Sequence, residues 1–133
     1  MGKHSNTLSA VYSIFGLNEW VAESIKTLPS NFVGVVPGNE YIRVHIIASG
    51  KGVQRGSMSG IVNIDIFVPS GAGPNRAAAI ADTLDKYLES KIKQAGSGTV
   101  QFGESTVRPL GADPANSSLY RSLYAIQFNY FGV

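Results

Sequence analysis

Histidine, carboxylate and a glycine-rich turn are the materials from which this sequence could build chemistry. His45 lies in the run Tyr41-Ile42-Arg43-Val44-His45-Ile46-Ile47, and Asp65 lies in the apolar run 61–68. If those runs pair as strands, histidine and aspartate sit side by side and a Ser-His-Asp arrangement can be drawn on paper. No nucleophile elbow or oxyanion hole accompanies them, so no catalytic residue is assigned. His4 and His45 are the only histidines, His4 is expected in a mobile terminus, and there is no cysteine. A metal site of two histidines within the fold is therefore not expected, nor are disulfides or thiolate ligands. His45 reads as a solvated or interface histidine beside Arg43.

The segment Phe67-Val68-Pro69-Ser70-Gly71-Ala72-Gly73-Pro74-Asn75-Arg76 leads from an apolar run through glycines into a helical pattern. A phosphate-binding loop needs Gly-Lys-Ser/Thr at the helix start, because backbone N–H groups surround the phosphates while lysine neutralises them. Here Pro74 removes a donor, and Arg76 stands where a dinucleotide fold wants a third small glycine. The segment reads as a strand-to-helix turn, with no cofactor-binding residue. Arg76 near a helix N-terminus opposes the macrodipole, which implies a partner elsewhere.

The elements that must position these residues follow from periodicity. Residues 5–28 carry Leu8, Val11, Tyr12, Phe15, Trp20, Val21 and Ile25 at helical spacing, interrupted by Gly16, with Asn18 as cap of a second piece. Alternation over 41–47 puts Ile42, Val44 and Ile46 on one face and Tyr41, Arg43 and His45 on the other; over 61–68 it separates Val62, Ile64, Ile66 and Val68 from Asn63, Asp65 and Phe67. Together these runs predict a long hairpin. Pro74 opens a helix of about 20 residues, near 30 Å long, whose buried stripe is Ala77, Ile80, Ala81, Leu84, Tyr87, Leu88 and Ile92. Its outward residues include Asp82, Asp85, Lys86, Glu89 and Lys93, with Asp82–Lys86 and Glu89–Lys93 as supporting pairs, and Gly96 and Gly98 end it. Residues 99–107 read as a strand. Residues 119–131 read as another, with Tyr124, Ile126, Phe128 and Tyr130 inward and a bulge near its start.

The order is helix-strand-strand-helix-strand-strand, which predicts one α+β domain over residues 1–133, with an antiparallel-rich sheet and helices packed on one face. A length of 133 residues suffices for one continuous core. Hydrophobic residues make up 44% and charged residues 15%, so the surface is built largely of Ser, Asn, Thr, Gly and Gln and presents few charges to desolvate against another subunit. The net charge of +2 is too small to argue for nucleic acid by itself. No apolar run approaches the ~20 residues of a membrane span and the polar start lacks a signal-peptide pattern, so a soluble, non-exported protein is expected. Two long loops stand out, 49–59 with Lys51 and Arg55 and no acid, and 108–118 with Pro109 and Pro114. Phe67, Phe131 and Tyr41 occupy the face opposite the core set, where apolar groups suit a partner. Aromatics beside Arg43 give that face a distant likeness to RNA-binding sheets, without their consensus.

With these elements placed, the chain resembles the tail-terminator (tail-completion) proteins of long-tailed bacteriophages. The resemblance rests on the "EYIRVHII" strand, the glycine-basic loop and above all "GIVNIDIFVPSGAGPNRAAAIADTLDKYL", residues 60–88. It implies a non-enzymatic virion protein, assembled in the host cytoplasm, that caps the tail tube as a ring of usually six copies. Such a ring stops tube polymerisation and offers a surface for head joining. The implied partners are further copies of the chain, the tail tube protein, head–tail connector proteins and DNA in transit; no membrane is involved. In that arrangement Lys51 and Arg55 would face the lumen or the tube, and Arg43 and Phe67 would help form the subunit interface. A neck or head-completion connector of the same virion and a small nucleotide-binding domain are the alternative readings.

Overall fold

The computed structural model describes residues 3–23, 25–29, 40–51, 58–69, 71, 73–95, 98–113 and 116–131. Three helices and six strands follow in the order α1 (Lys3–Ile14), α2 (Asn18–Ala22), β1 (Thr27–Pro29), β2 (Tyr41–Lys51), β3 (Met58–Pro69), α3 (Gly73–Tyr87), β4 (Ile92–Ala95), β5 (Gly98–Asp113) and β6 (Asn116–Phe131). The strands form one mixed sheet of order β1-β2-β3-β6-β5-β4. Only β1 is parallel to its neighbour, β2; every other pairing is antiparallel. The expected α+β class, hairpin and sidedness are all present, while β1 and β4 are short additions at the two edges of the sheet.

The two alternations predicted for β2 and β3 explain the core. In the hairpin Val44 pairs with Ile64 and Ile42 with Ile66, and all four side chains are fully buried under the helices. On the other side of β3, Ile64 pairs with Tyr124 and Val62 with Ile126, which continues the apolar layer across β6. From above, α3 lays Ala77, Ile80, Ala81, Leu84 and Leu88 onto this layer, and α1 adds Ala10, Val11 and Ile14. Trp20 of α2 fills the corner, its ring edge-on to Phe15 and Tyr87 and its indole N–H donated to Thr27 Oγ1 at 2.9 Å. An indole nitrogen buried without such an acceptor would cost stability, so this bond fixes β1 beside the helices.

Several boundaries differ from the sequence-based expectation. The helix begun at Pro74 ends at Tyr87, 15 residues counted from Gly73, rather than near Gly96. Ser90 takes a left-handed φ of 58°, and its N–H reaches the Gly103 carbonyl, so the chain leaves the helix to pair with β5. Ile92 consequently belongs to β4 and is 67% exposed rather than part of the helix stripe. Lys93 is likewise in a strand, so its helical pairing with Glu89 does not form. Lys86 pairs not with Asp82 but with Glu23, which also accepts the Tyr87 hydroxyl. Both bonds, that of Lys86 first, hold the Glu23 carboxyl below its ordinary pKa. Leu8 and Val21 are exposed, because α1 buries its other side and the short α2 can turn only Trp20 inward. Asn18 is the first residue of α2 rather than its cap, Leu28 lies in β1, and His4 lies in α1. The supposed loops shrink as well. Strand β2 continues to Lys51 with an irregularity between Ala48 and Gly50, and β3 starts at Met58, leaving 52–57 outside the described residues. Residues 108–113 and 116–118 are paired strand rather than loop, with register shifts on β5 between Pro109 and Gly111 and between Ala112 and Asp113.

Polar groups also join the α3 end of the helix layer to the sheet. Tyr124 donates its buried hydroxyl to Asp85 Oδ1 at 2.6 Å, and the Ser105 hydroxyl donates to the same oxygen at 2.7 Å. Glu89 Oε2 accepts the Ser105 N–H at 3.1 Å. Asp85 and Glu89, which the periodicity points outward, are thus turned to the sheet, where a bulge between Phe102 and Ser105 brings Ser105 beneath them. Burial, then the Asp85 bond, push the Tyr124 phenol well above its ordinary value.

Two outcomes test this account. A Cβ on Gly60 would run into the Ile47 carbonyl oxygen and lie 2.8 Å from the Phe128 ring, whereas one on Gly71 meets nothing within 4 Å. Gly60→Ala should therefore lower the urea-unfolding free energy by about 1–3 kcal/mol, with Gly71→Ala near neutral. Tyr124→Phe should cost about 1.5–3 kcal/mol near neutral pH, since it removes a bond to a charged acceptor. Because the folded-state pKa is raised, Tyr124 stabilises fully below the ordinary tyrosine value of 10.0 and loses that contribution as pH rises above it. The Phe variant should lack this part of the alkaline loss in pH-dependent melts.

Candidate functional site

The helices cover one face of the sheet, and the residues that attract functional interest lie on the other. Direct pairing across the strands sets them in rows: Tyr41 with Phe67 and Phe67 with Arg121, then Arg43 with Asp65, Asp65 with Leu123 and Leu123 with Arg108. Side chains of directly paired residues project to the same side, so one row is aromatic and cationic and the next holds two guanidiniums and a carboxylate.

Asp65 is the centre of the polar part. Its side chain is only 11% exposed, with Oδ1 2.9 Å from Arg121 Nη2 and Oδ2 3.3 Å from His45 Nε2. A carboxylate this buried requires such partners, because desolvation penalises the charge. The sequence-based pairing of His45 with Asp65 is thus realised, but with Arg121 as third member, a residue that sequence reasoning did not single out. The only signal was its position two residues beyond Leu119 on the outward parity of β6. Arg121 also lies over the Phe67 ring, its Cζ 5.8 Å from the centroid. The Phe67 ring stacks on Tyr41 at 4.6 Å, and both join Leu28 and Leu119 in a second, small apolar cluster. Phe67 stands on the expected face, yet it is largely covered within the monomer by these neighbours.

Arg43 differs from Arg121. Its Nε is buried and has no hydrogen-bond partner among the described residues. Arg121 uses Nη2 on Asp65, and its own Nε is buried and unpaired as well. Phe131 is exposed on the outward parity of β6, as the alternation predicts. Lys51 ends β2 opposite Met58, and Arg55 lies outside the described residues. Arg43 and Phe67 therefore share one region of the sheet, whereas Lys51 lies at the far end of β2.

At the glycine-rich turn, Gly73 opens α3 with φ of 41°, a backbone angle for which glycine carries no Cβ penalty. Arg76 makes an ion pair with Glu40, the partner that its unfavourable place at a helix N-terminus implied. Clefts of 170, 270 and 120 Å³ lie at His4–Met58, Ser59–Asn129 and Glu104–Gln127 respectively, and none is lined by Gly71, Gly73, Arg76, His45 or Asp65. Each is below the roughly 300–1,000 Å³ of typical small-molecule sites. Among the described residues no three His, Cys, Asp or Glu side chains are grouped to hold a metal ion, and no helix is long and apolar enough to cross a membrane.

The buried Asp65 should matter more than the half-buried Arg76. Asp65→Ala, which strands Arg121 and His45, is expected to lower stability by about 1–3 kcal/mol, and Arg76→Ala by less than about 1 kcal/mol. Chemical denaturation of both variants checks the order.

Comparison with known proteins bears on the fold. No family model and no curated protein matches the sequence. Among solved structures, a protein identified only by a sequence number superposes with a TM-score of 0.76 at 15% identity, over 98% of this chain and 96% of its own. A chain from the virion of a native gene transfer agent particle superposes with a TM-score of 0.65 at 13% identity, over 93% of each. The likeness runs nearly end to end in both, so the architecture is shared as a whole and not as a fragment.

Proposed function

We propose that this chain is a structural protein of a phage-type virion, and more specifically that it caps the end of the tail tube as a ring of six copies. The observation that carries the coarser reading is the near-complete fold likeness to a chain of the gene transfer agent virion. The finer reading adds the resemblance of residues 60–88 to tail terminators. A protein that works by contact needs a rigid frame and surfaces to spare, and the one-sided sheet supplies both. The small clefts and the engagement of Asp65 by Arg121 as well as His45 favour a non-enzymatic role without cofactor.

In this reading the chain is located in the tail of the particle. Copies meet head to tail around a closed rotation, which yields a ring rather than a filament. Arg43 and Phe67 belong to the subunit interface. Lys51 and Arg55 face the lumen or the tube, where a few cations per copy let DNA slide past without gripping it. The tail tube protein and the head–tail connectors are the neighbours on the two sides of the ring.

The test is tail length. Purified protein added to growing tail tubes should halt elongation and narrow the length distribution, as measured by electron microscopy. Particles made without it should carry overlong or headless tails. Unfilled or leaking heads instead, with tubes of normal length, would favour the neck-connector reading.

A further inference from the structure

The two edges of the sheet are stepped at opposite ends. Strand β4 pairs with β5 only over residues 98–101, and the backbone bonds of Phe102 N–H to the Lys91 carbonyl and of Ser90 N–H to the Gly103 carbonyl extend that cover slightly. Beyond them, over residues 105–113, β5 pairs with β6 alone among the described residues. Glu104 and residues 106–110 are exposed, with Val107 at 43% and Leu110 at 42%. At the other edge, β1 covers β2 only over residues 42–44, and among the described residues β1 pairs with no other strand. Cross-strand rows relate the two steps. Val44, Ile64, Tyr124 and Val107 form one row, and Ile42, Ile66, Ser122 and Pro109 another. The rows that β1 fills beside β2 are therefore the rows left bare beside β5.

Backbone direction extends the match. Strands β2 and β6 run one way and β3 and β5 the other, while β1 runs with β2. A second copy set beside the first in the same orientation thus brings its β1 antiparallel to β5. Within β5 the Ser105 N–H goes to Glu89 Oε2 rather than to β6, so period-two alternation aims the N–H and C=O of Val107 and the C=O of Pro109 out of the sheet. Within β1 the Lys26 carbonyl accepts the Ile42 N–H at 2.8 Å, so Thr27 and Pro29 aim their backbone groups away from β2. When the rows are matched, the Val107 N–H meets the Pro29 carbonyl and the Thr27 N–H meets the Pro109 carbonyl. Prolines ordinarily blunt a sheet edge. In this register they leave no outward donor unmatched.

We propose that β1 of a second copy seats against the bare stretch of β5, so that the sheets of neighbouring copies continue edge to edge. The inference rests on the ring reading above and specifies its contact as strand addition between two different edges, as closure into a ring requires. Pairing of β5 with β5 of a second copy would instead close after two copies.

The experiment uses the full chain, alone and with short tail-tube fragments. The chain has no cysteine, so Lys26→Cys and Leu110→Cys, both at exposed positions beside the matched rows, introduce the only thiols. A short bis-maleimide should link the double variant into a ladder of copies, and neither single variant should cross-link. Val107→Pro removes an N–H that β6 does not use, and it should raise the concentration for half-assembly roughly tenfold or more in sedimentation velocity. The cross-link stands as a separate measurement if that variant fails to fold. Rings that assemble while the double variant stays unlinked would overturn this contact and leave the ring reading intact. Dimers from Leu110→Cys alone would overturn it in favour of β5 against β5. A wild-type chain that stays monomeric even on tube fragments would overturn both readings.

Discussion

A single sheet has two faces, and the helices among the described residues lie on only one of them. Burial of the inner face by α1, α2 and α3 is the interaction on which the rest of the structure depends, because it gathers Ile42, Val44, Val62, Ile64, Ile66, Tyr124, Ile126 and Phe128 into one dry layer. Each such side chain contributes on the order of 1.5–3 kcal/mol when fully buried, far more than any of the surface ion pairs. The outer face is then left to stabilise itself by other means. It does so with the Asp65 ion pairs and with the Tyr41–Phe67 stack, which cover polar and apolar parts respectively.

That asymmetry links fold to function. A face held flat by cross-strand pairs presents its exposed groups, such as Phe131, at fixed positions, and that rigidity lowers the entropic cost of docking. The polar tether from Asp85 and Glu89 to Ser105 and Tyr124 has the complementary effect on the covered side, where it fixes the register of α3 on the sheet. Hydrophobic contact alone sets no register so sharply, since apolar side chains slide at little cost compared with a buried phenol that must keep its acceptor. The exposed position of Asp82 on α3 follows from the same tether.

The fold likeness at 15% and 13% identity is understandable in these terms. Period-two alternation in β2, β3 and β6 and a small-residue stripe on α3 can be satisfied by many sequences of the right volume. What the likeness to such neighbours shows is a shared architecture.

Alternation and helical spacing determined by themselves the central hairpin, the inward set of β6, the start of α3 and the sidedness of the sheet, because those signals are local and repeat many times. The place of Arg76 at a helix N-terminus was enough to require Glu40 or a group like it. Only tertiary structure decided that α3 ends at Tyr87, since the backbone of Ser90 exchanges helix bonds for a strand of distant sequence. It also decided that residues 108–113 and 116–118 lie in strands despite Pro109, which β5 tolerates because β4 pairs only with its residues 98–101 and the missing N–H need not face a neighbour. Arg121 joined Asp65 and His45 for the same reason: residues 56 positions apart meet only through the β3–β6 register, and no spacing along the chain records that encounter.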